Sequence, residues 1–295
     1  MTTPADWVCL HSDALTAQID PLGAQLSVLR DAQGRDLLWH GDPAYWNGRS
    51  PILFPIVGAL HQGHYLWDGK RHALPRHGFA RGRRFAVVEA SPAEAVFRLR
   101  ADDATRAVYP FDFELELRFV LRGPGLAVTA TVRNEGMGPM PASVGFHPAL
   151  RWPLPGGAPR ARHRLQFDVE EPAPVRRLDR EGLLTPDRHA SPINGRTLML
   201  DDALFEQDVV IFDQLRSRGL CYGTGDGRDI EVRFPDARYL GLWSKPGAPF
   251  VCIEPWRGVA DPQDFAADLR EKPGIELLGA GTALSTMMVI SLAQS

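Results

Sequence analysis

The sequence predicts an all-β fold, because apolar and polar residues alternate along many short segments and because long helical patterns are scarce. In residues 111–119 every odd position is apolar and every even position is charged, which describes a strand with one buried and one solvated face. The 25 Pro and 28 Gly spread along the chain favour frequent turns and disfavour long helices. Half-polar strands of this kind indicate antiparallel sheets, since parallel strands are usually apolar on both faces.

The strand pattern recurs from the first third of the chain to its last third. The predicted strands, in chain order, are residues 96–100, 111–119, 126–132, 165–169, 230–234 and 250–253. The sequence Arg-Gly-Pro-Gly at 122–125 predicts a hairpin between the second and third of them. Residues 170–196 are predicted to be a surface excursion and a candidate lid.

One helix is predicted, from Asp261 to Glu271. Asp261 would cap it, Pro262 suits its first turn, and the Pro-Gly pair at 273–274 would end it. No shift of composition marks a boundary and no internal repeat is present. A single domain over residues 1–295 is therefore expected.

Composition excludes several classes of partner. The 295 residues carry a net charge of -3 with no long run of one sign, so neither nucleic acid nor an anionic membrane is expected as a partner. The three cysteines include no CxxC pair, so neither a disulfide framework nor a cysteine-based zinc site is predicted. Residues 1–7 lack a leader pattern, and no apolar run approaches the roughly 20 residues of a membrane span. A cytoplasmic, unanchored protein is expected.

Glu254 is the first candidate for acid-base chemistry. Alternation in the predicted strand places Val251 and Ile253 toward the core, and Cys252 with Glu254 on the opposite face. Pro255 is expected to end the strand, because it cannot donate a ladder hydrogen bond. A carboxylate crowded there by the next tryptophan would be partly desolvated, which raises its pKa toward that of a general base near neutral pH. The alternative is an ordinary surface Glu in a turn.

His147 is the second candidate. It follows Gly145-Phe146 and precedes Pro148, which restricts its backbone toward an extended conformation. Histidine is the side chain best suited to exchange a proton near pH 7. The alternative is a core histidine bonded to a backbone carbonyl.

His77 and Arg81 form a third candidate group. On an extended segment His77, Phe79 and Arg81 share one face, so an imidazole, an aromatic ring and a guanidinium would point at one ligand. Such a set suits the hydroxyls and the ring face of a sugar. The alternative is a basic loop that continues from Arg76.

Weaker patterns carry no prediction of a metal or a nucleophile. His61, His64, His72 and His77 suggest a metal, but their glycine-broken loop lacks HExxH spacing. Cys252 lies two residues before Glu254, where a small packing residue is the commoner role. The basic residues between 70 and 84 fit a solvated surface and also an anionic substrate.

Four motifs occur in order along the chain. They are Arg-Ser-Pro-Ile-Leu-Phe-Pro-Ile-Val-Gly at 49–58, Leu-Pro-Arg-His-Gly-Phe-Ala-Arg at 74–81, Gly-Phe-His-Pro at 145–148, and Cys-Ile-Glu-Pro-Trp at 252–256 with Gly258 and Asp261. Together they resemble the aldose 1-epimerase (galactose mutarotase-like) family, particularly its LacX-like and hexose-6-phosphate mutarotase branches. The resemblance runs in register from about Leu15 to the C-terminus, where residues 272–278 also fit.

The resemblance implies a large antiparallel β-sandwich, the galactose mutarotase-like supersandwich, with few short helices. It also implies an enzyme that interconverts the α and β anomers of an aldose without a metal or an organic cofactor. By motif position, His147 matches the general acid at the ring oxygen and Glu254 the base at the C1 hydroxyl. His77 and Arg81 match substrate-positioning residues, and Asp208 matches an acidic residue that holds sugar hydroxyls. The expected partner is a small sugar or sugar phosphate, and the expected state is a monomer or weak homodimer.

Several alternatives stay open within this resemblance. Many members carry an aromatic residue just after the His-Pro pair, where this chain has Ala149-Leu150, so a stacking platform is either absent or supplied by Trp152. The substrate is a free aldohexose or a hexose 6-phosphate. A non-catalytic carbohydrate-binding or sensing protein on the same fold is the competing class, because fold does not determine function. A glycoside hydrolase would need two carboxylates flanking the scissile bond.

Overall fold

The computed structural model describes residues 6–293, and most of its regular structure is β-strand. Residues 1–5 and 294–295 lie outside the described residues. The first range is part of the segment predicted to lack a leader, and the second is the end of the predicted single domain. α1 (Asp103–Arg106) is the one α-helix within 6–293. Over the same residues, no helix has the length and apolar character that crossing a bilayer requires.

Twenty-two strands and five 3-10 turns make up the rest of the regular structure within 6–293. The strands are β1 Val8–His11, β2 Leu15–Asp20, β3 Gln25–Asp31, β4 Ile52–Leu53, β5 His64–Trp67, β6 Lys70–Ala73, β7 Ala86–Ala90, β8 Glu94–Arg100, β9 Phe113–Arg122, β10 Gly125–Asn134, β11 Met140–Ala142, β12 Val144–Phe146, β13 Ala149–Arg151, β14 Arg164–Phe167, β15 Thr197–Met199, β16 Val210–Phe212, β17 Gly219–Gly223, β18 Ile230–Arg233, β19 Tyr239–Trp243, β20 Phe250–Arg257, β21 Glu276–Leu278 and β22 Ala283–Leu292. The 3-10 turns are His61–Gly63, Ala80–Gly82, Arg160–Arg162, Asp202–Phe205 and Leu269–Glu271.

The larger sheet has nine strands in the order β15-β14-β17-β18-β22-β10-β9-β8-β7. The predicted hairpin is confirmed, since β9 and β10 pair from Arg122 opposite Gly125 to Phe113 opposite Asn134. The predicted alternation in β9 is also confirmed, because every odd-numbered residue from Phe113 to Leu121 is buried and the residues between them are more accessible. A long hairpin with one wet face is the expected outcome of such a pattern.

The second large sheet has six strands in the order β16-β19-β20-β12-β4, with β13 pairing the first half of β20. Leu117 and Ile290 of the nine-stranded sheet share one buried core with Val251, Ile253 and Leu240 of the six-stranded sheet. The two sheets therefore pack face to face as a β-sandwich. Three further small sheets, β1-β2-β3, β5-β6 and β11-β21, complete the fold.

The predicted helix beginning at Asp261 is wrong, because only Leu269–Glu271 forms a short 3-10 turn. The carboxylate of Asp261 accepts a hydrogen bond from the backbone N–H of His61 and pairs with the buried ammonium of Lys272. Its carbonyl accepts from the N–H of Leu184. These long-range partners occupy the groups that would cap and begin a helix, so tertiary pairing overrides the local signal.

Trp256 lies across two neighbouring strands that each carry glycine at the point of contact. Gly145 of β12 is its register partner, and Gly241 of β19 lies opposite Glu254. A methyl group at Gly145 would come within 2.6 Å of the indole, and one at Gly241 would come closer still. Glycine is therefore required on both sides for the indole to lie on the sheet.

We expect Gly241→Ala to lower the free energy of unfolding by about 1–3 kcal/mol, because the added methyl group overpacks against Trp256. Urea unfolding followed by circular dichroism and tryptophan fluorescence measures the change. Gly138→Ala is the matched control, since nothing lies within 4 Å of the added atom, and it should shift stability by less than about 0.5 kcal/mol. Equal midpoints for the two variants would contradict the packing argument.

Candidate active site

A cavity of about 420 Å³ lies on the outer face of the six-stranded sheet. Ile211, Trp243 and Glu254 line it, whereas the alternating residues Leu242 and Ile253 belong to the main core on the other face. This volume falls in the range of roughly 300–1,000 Å³ common for small-molecule sites. Five residues proposed from the sequence line the cavity, namely His77, Arg81, His147, Asp208 and Glu254.

Glu254 is only 1% exposed, although it carries an ionisable group. The predicted two-sided pattern is confirmed, since Val251 and Ile253 lie in the main core while Cys252 packs in a separate aromatic cluster. Within residues 6–293 no hydrogen bond reaches the Oε2 atom of Glu254. Its burial rules out the alternative of an ordinary surface glutamate.

Pro255 does not end the strand as predicted, since β20 continues to Arg257. The N–H of Ile253 donates to the carbonyl of Pro148, on the side of β20 where β12 gives way to β13. The position two residues later faces the same side. Pro255, which has no N–H to donate, therefore lies at the gap between β12 and β13. No ladder hydrogen bond of β20 is lost there.

Burial raises the pKa of Glu254 well above its ordinary value, and the nearby charge of Asp208 raises it further. Desolvation penalises the charged form of any carboxyl group. The structure therefore favours a protonated Glu254 at a pH where a surface glutamate would be ionised. Strongly shifted groups in a cleft are typical of functional sites.

His147 lies at the crossing from β12 to β13 and is enclosed by three rings. Its imidazole stacks on Trp46 at 4.9 Å between centroids, with Trp243 and His77 edge-on, each at 5.9 Å. Burial lowers the pKa of His147 to about 3, although a bond to its own backbone opposes the shift. The ring is therefore neutral at pH 7. Within residues 6–293 no carbonyl of another residue accepts a hydrogen bond from Nδ1, so the alternative of a core histidine bonded to a backbone carbonyl is reduced to the contact with its own backbone.

The Nε2 atom of His147 lies 3.1 Å from Oε2 of Glu254. Both groups are disfavoured in their charged forms, so together they are best described as a pair that holds one proton. That proton gives zero net charge whether it resides on the imidazole or on the carboxyl group. The pair can consequently give and take a proton without leaving net charge in the dry floor of the cavity.

The segment 77–81 is not extended, so the prediction that His77, Phe79 and Arg81 share one face is wrong. His77 has a positive φ of 66°, and Arg81 lies within the 3-10 turn Ala80–Gly82. Phe79 packs into the main core. The turn is required because Gly78 sits against the backbone of Phe54 so closely that no side chain fits.

His77 nevertheless reaches the cavity, and Gly58 fixes its tautomer. The N–H of Gly58 donates to Nδ1 of His77 at 3.1 Å, and the carbonyl of Gly58 accepts from the N–H of His77. An Nδ1 that accepts leaves the proton on Nε2 of the neutral ring. Burial lowers the pKa of His77 well below its ordinary value, so the ring is a neutral hydrogen-bond donor at pH 7.

Three exposed cations, Arg76, Arg81 and Lys245, form a rim around the cavity. Arg81 donates to the carbonyl of Arg76 at 2.9 Å, Arg76 to that of Glu181 at 3.1 Å, and Lys245 to that of Ala44 at 3.3 Å. Throughout residues 6–293 the three form no ion pair with a carboxylate. Their charge is therefore available to a ligand.

Two other arginines of the basic segment, Arg83 and Arg84, form ion pairs outside the cavity. Arg83 lies 3.7 Å from Asp102, and Arg84 forms an ion pair with Asp6. Neither residue lines the cavity. Only part of the basic segment therefore contributes charge to the site.

Asp208 stands in the turn between the 3-10 helix Asp202–Phe205 and β16, with a positive φ of 62°. Its Oδ1 accepts from the N–H of Val209 at 2.8 Å, and its carbonyl accepts from Arg177 at 3.1 Å. This turn holds the carboxylate at the cavity wall. Its charge is one of the two causes that raise the pKa of Glu254.

The sequence reasoning missed the aromatic lining. Trp46 and Trp243 line the cavity beside Trp256, whereas Trp152 is 1% exposed in the core with the Arg160 guanidinium over its ring at 3.3 Å. A platform is therefore present, and Trp152 does not supply it. Trp46 lies in an irregular loop, and only the tertiary fold brings it into contact with His147. No local sequence pattern therefore indicates that Trp46 belongs to the site.

Part of the candidate lid forms a wall of the cavity. Leu178 of the 170–196 segment lines it, and Arg176 exchanges backbone hydrogen bonds with Ile211 of β16. Arg177 also donates to the backbone of Leu204. In this conformation the segment is attached to the sheet beside the cavity.

Known proteins are similar to this chain in both sequence and fold. The family model described as aldose 1-epimerase matches residues 6–264. The chain is 32% identical over 276 residues to the plasmid form of Protein LacX from Lactococcus lactis subsp. lactis, covering 90% of this chain and 92% of that protein. The matched family region contains every residue that lines the cavity, from Trp46 to Ala260.

Two solved structures have the same architecture. A galactose mutarotase related enzyme from Lactobacillus acidophilus superposes with a TM-score of 0.90 at 28% identity, covering 98% of this chain and 97% of that chain. A galactose mutarotase-like protein from Lactobacillus casei ATCC 334 gives a TM-score of 0.90 at 27% identity, with 97% and 100% coverage. The predicted supersandwich is therefore confirmed.

Replacing Glu254 by Gln should stabilise the protein at alkaline pH. The folded pKa is raised, so above the unfolded value of about 4.3 the unfolded state loses a proton that the folded state keeps. This linkage lowers stability by about 1.4 kcal/mol for each pH unit until the folded pKa is reached. Glu254→Gln removes it, and its advantage over wild type should grow from pH 5 to pH 8.

Urea unfolding at both pH values measures this difference. Glu170→Gln is the control, because the same change at an exposed position should alter stability by less than about 0.5 kcal/mol at either pH. A Glu254→Gln protein that is less stable than wild type at pH 8 would show that the carboxylate is stabilised in the fold.

Proposed function

The chain belongs to the aldose 1-epimerase family, as its motifs predicted, and we propose that it interconverts the α and β anomers of an aldohexose through His147 and Glu254. The observation that carries this proposal is the buried His147 and Glu254 pair, 3.1 Å apart, at the floor of a cavity of about 420 Å³. Family membership and the mutarotase-related structures support an isomerase. The roles of the individual residues are part of the proposal.

Opening a cyclic hemiacetal requires one proton to leave the C1 hydroxyl and one to arrive at the ring oxygen. Ring opening starts from the minor tautomer of the pair, in which its one proton lies on His147. Glu254 takes the first proton and His147 delivers the second, so the pair returns to its uncharged form, imidazole with carboxylic acid. Rotation about C1–C2 exposes the other face of the aldehyde. Reclosure reverses both transfers and restores the pair.

The burial of both groups matches this cycle. The charged form, imidazolium with carboxylate, and the uncharged form, imidazole with carboxylic acid, have the same net charge. Ring opening therefore requires no ion to enter or leave the dry floor. Each positioned acid or base contributes typically about 10²–10⁴-fold, which suits a reaction that already proceeds in water.

The remaining cavity residues have positioning roles in this proposal. His77 donates through Nε2 to a sugar hydroxyl, and Asp208 accepts from others. Trp46 and Trp243 offer apolar ring faces of the kind that pack against a sugar. Arg81 contacts the ligand at the rim.

A second candidate is the anomerisation of a hexose 6-phosphate. The specific observation in its favour is the rim, where Arg76, Arg81 and Lys245 have no carboxylate partner within residues 6–293. Guanidinium groups bind phosphate through charge-assisted hydrogen bonds. In this candidate the rim cations hold the phosphate while C1 of the same sugar lies at the buried pair.

Glu254→Gln and His147→Asn should each lower the anomerisation rate by about 10²–10⁴-fold, because each removes one proton carrier. Polarimetry of freshly dissolved α-D-glucose and α-D-galactose, and NMR exchange between the anomers of glucose 6-phosphate, measure the rate. Glu170→Gln and His189→Asn, both exposed, are the matched controls and should retain the wild-type rate.

Two results would contradict this proposal in different ways. Binding of sugars without faster exchange in any member of a broad panel would indicate a carbohydrate-binding protein. An active wild type with unaffected Glu254→Gln and His147→Asn variants would show that other residues carry the protons.

Arg81→Ala should separate the two substrate classes. Loss of a charge-assisted bond costs about 1.5–3 kcal/mol, so kcat/KM for glucose 6-phosphate should fall about 10- to 100-fold while that for glucose changes little. Arg84→Ala is the control, since Arg84 carries the same charge but pairs with Asp6 outside the cavity. An equal loss for both sugars would assign Arg81 to the sugar ring and remove the phosphate proposal.

A further inference from the structure

A third buried group lies beside the proton pair and has no role in anomerisation. The ligand atoms of His147, Cys252 and Glu254 all lie within 4.8 Å of one another, and all three residues are buried. Within residues 6–293 this is the one cluster of three or more such residues whose ligand atoms converge. Two polar atoms at this place, Nδ1 of His147 and Oε2 of Glu254, have no hydrogen-bond partner there.

The fold brings the three residues together through β20. Cys252 and Glu254 are two residues apart on one strand, so their side chains leave the same face. Ala149 of β13 is the register partner of Cys252. The turn at His147-Pro148 is thereby held against that face of β20, and the imidazole is directed toward the two other side chains.

The donor set suits zinc. One imidazole nitrogen, one thiolate and one carboxylate oxygen are typical Zn²⁺ ligands, and three protein ligands with an open fourth position describe a zinc site that faces a cavity. Bonds of about 2.0–2.3 Å around a tetrahedral ion set the ligand atoms roughly 3.3–3.6 Å apart. The observed 3.1 Å between Nε2 of His147 and Oε2 of Glu254 is close to this value, and all three ligand atoms lie within 4.8 Å of one another, so the thiol of Cys252 has at most a short distance to move to complete the site. Hard ions such as Mg²⁺ prefer all-oxygen sites.

Charge balance also favours a divalent ion at the floor. A thiolate and a carboxylate together carry two negative charges, which burial alone disfavours. A zinc ion neutralises both, and the imidazole adds none. A neutral metal site therefore fits the same dry environment that holds the neutral proton pair.

We propose that His147, Cys252 and Glu254 form an inhibitory zinc site, in which Zn²⁺ displaces the proton pair and blocks the cavity floor. Binding breaks the S–H bond of Cys252 and takes the proton held by His147 and Glu254, so about two protons are released to solvent for each zinc bound. No oxidation or reduction is involved. The site itself does not depend on the proposed anomerisation, whereas the inhibition does.

Cobalt absorption gives a test that is independent of activity. Co²⁺ titrated into the full chain should produce a thiolate-to-cobalt charge-transfer band in the near ultraviolet, and Zn²⁺ should abolish it by displacement. Cys252→Ala should lack the band. Cys9→Ala and Cys221→Ala remove the other two free thiols and should retain it.

Zinc affinity, measured by competition with a chromophoric chelator, should fall at least tenfold in Cys252→Ala. His147→Asn should weaken it as well, which provides a second test should Cys252→Ala fail to fold. Where anomerisation is detected, micromolar zinc should inhibit wild type and the Cys9→Ala control more strongly than Cys252→Ala. An absent cobalt–thiolate band in wild type, or one that persists in Cys252→Ala, would overturn the site. Zinc binding without any anomerase activity would leave the site intact and refute only the proposed function.

Discussion

The cavity depends on one constraint, which is that the carboxyl group of Glu254 lies almost entirely out of water in a strand paired on both sides. The arrangement of the residues around Glu254 follows from that position. The crossing from β12 to β13 brings in the imidazole of His147. Glycines 145 and 241 clear the sheet surface for Trp256. A carboxyl group placed at an exposed strand end would need none of these features and would have an ordinary acidity.

Buried groups with shifted pKa values work against stability, and two of them, Glu254 and His147, lie side by side in the cavity. Burial raises the pKa of Glu254 and lowers that of His147 to about 3, so the carboxyl group loses the charge it would hold in water near neutral pH and the imidazole loses the charge it would hold in mildly acidic solution. By contrast, the buried carboxylate of Asp261 has two partners, the ammonium of Lys272 and the backbone N–H of His61. The first pair has few partners that stabilise its charged forms and the second has several, which is the pattern expected where function opposes stability, as the proposed proton exchange would require.

The sequence predicted those features that depend on local alternation and missed those that depend on distant partners. The hairpin of β9 and β10 follows from period-two patterning, and the motif order brought His147 and Glu254 forward as candidates. The prediction of a helix beginning at Asp261 is wrong because the groups that would cap it bind residues far away in sequence. The prediction that His77 and Arg81 share one face of an extended segment is wrong because Gly78 must approach the backbone of Phe54, which requires a turn. Trp46 was missed because its loop has no periodic pattern.

The floor and the rim of the cavity have opposite electrostatic characters, and this restricts how a ligand can lie. At the floor, charge is disfavoured by burial, and an anion would also meet the carboxyl group of Glu254. At the rim, Arg76, Arg81 and Lys245 are exposed and available to negative charge. An anionic ligand therefore gains at the rim and loses at the floor. In the proposed reaction any ionic group must therefore be carried by a carbon other than the one that reacts at the floor, a condition that a hexose 6-phosphate meets and that a sugar 1-phosphate does not.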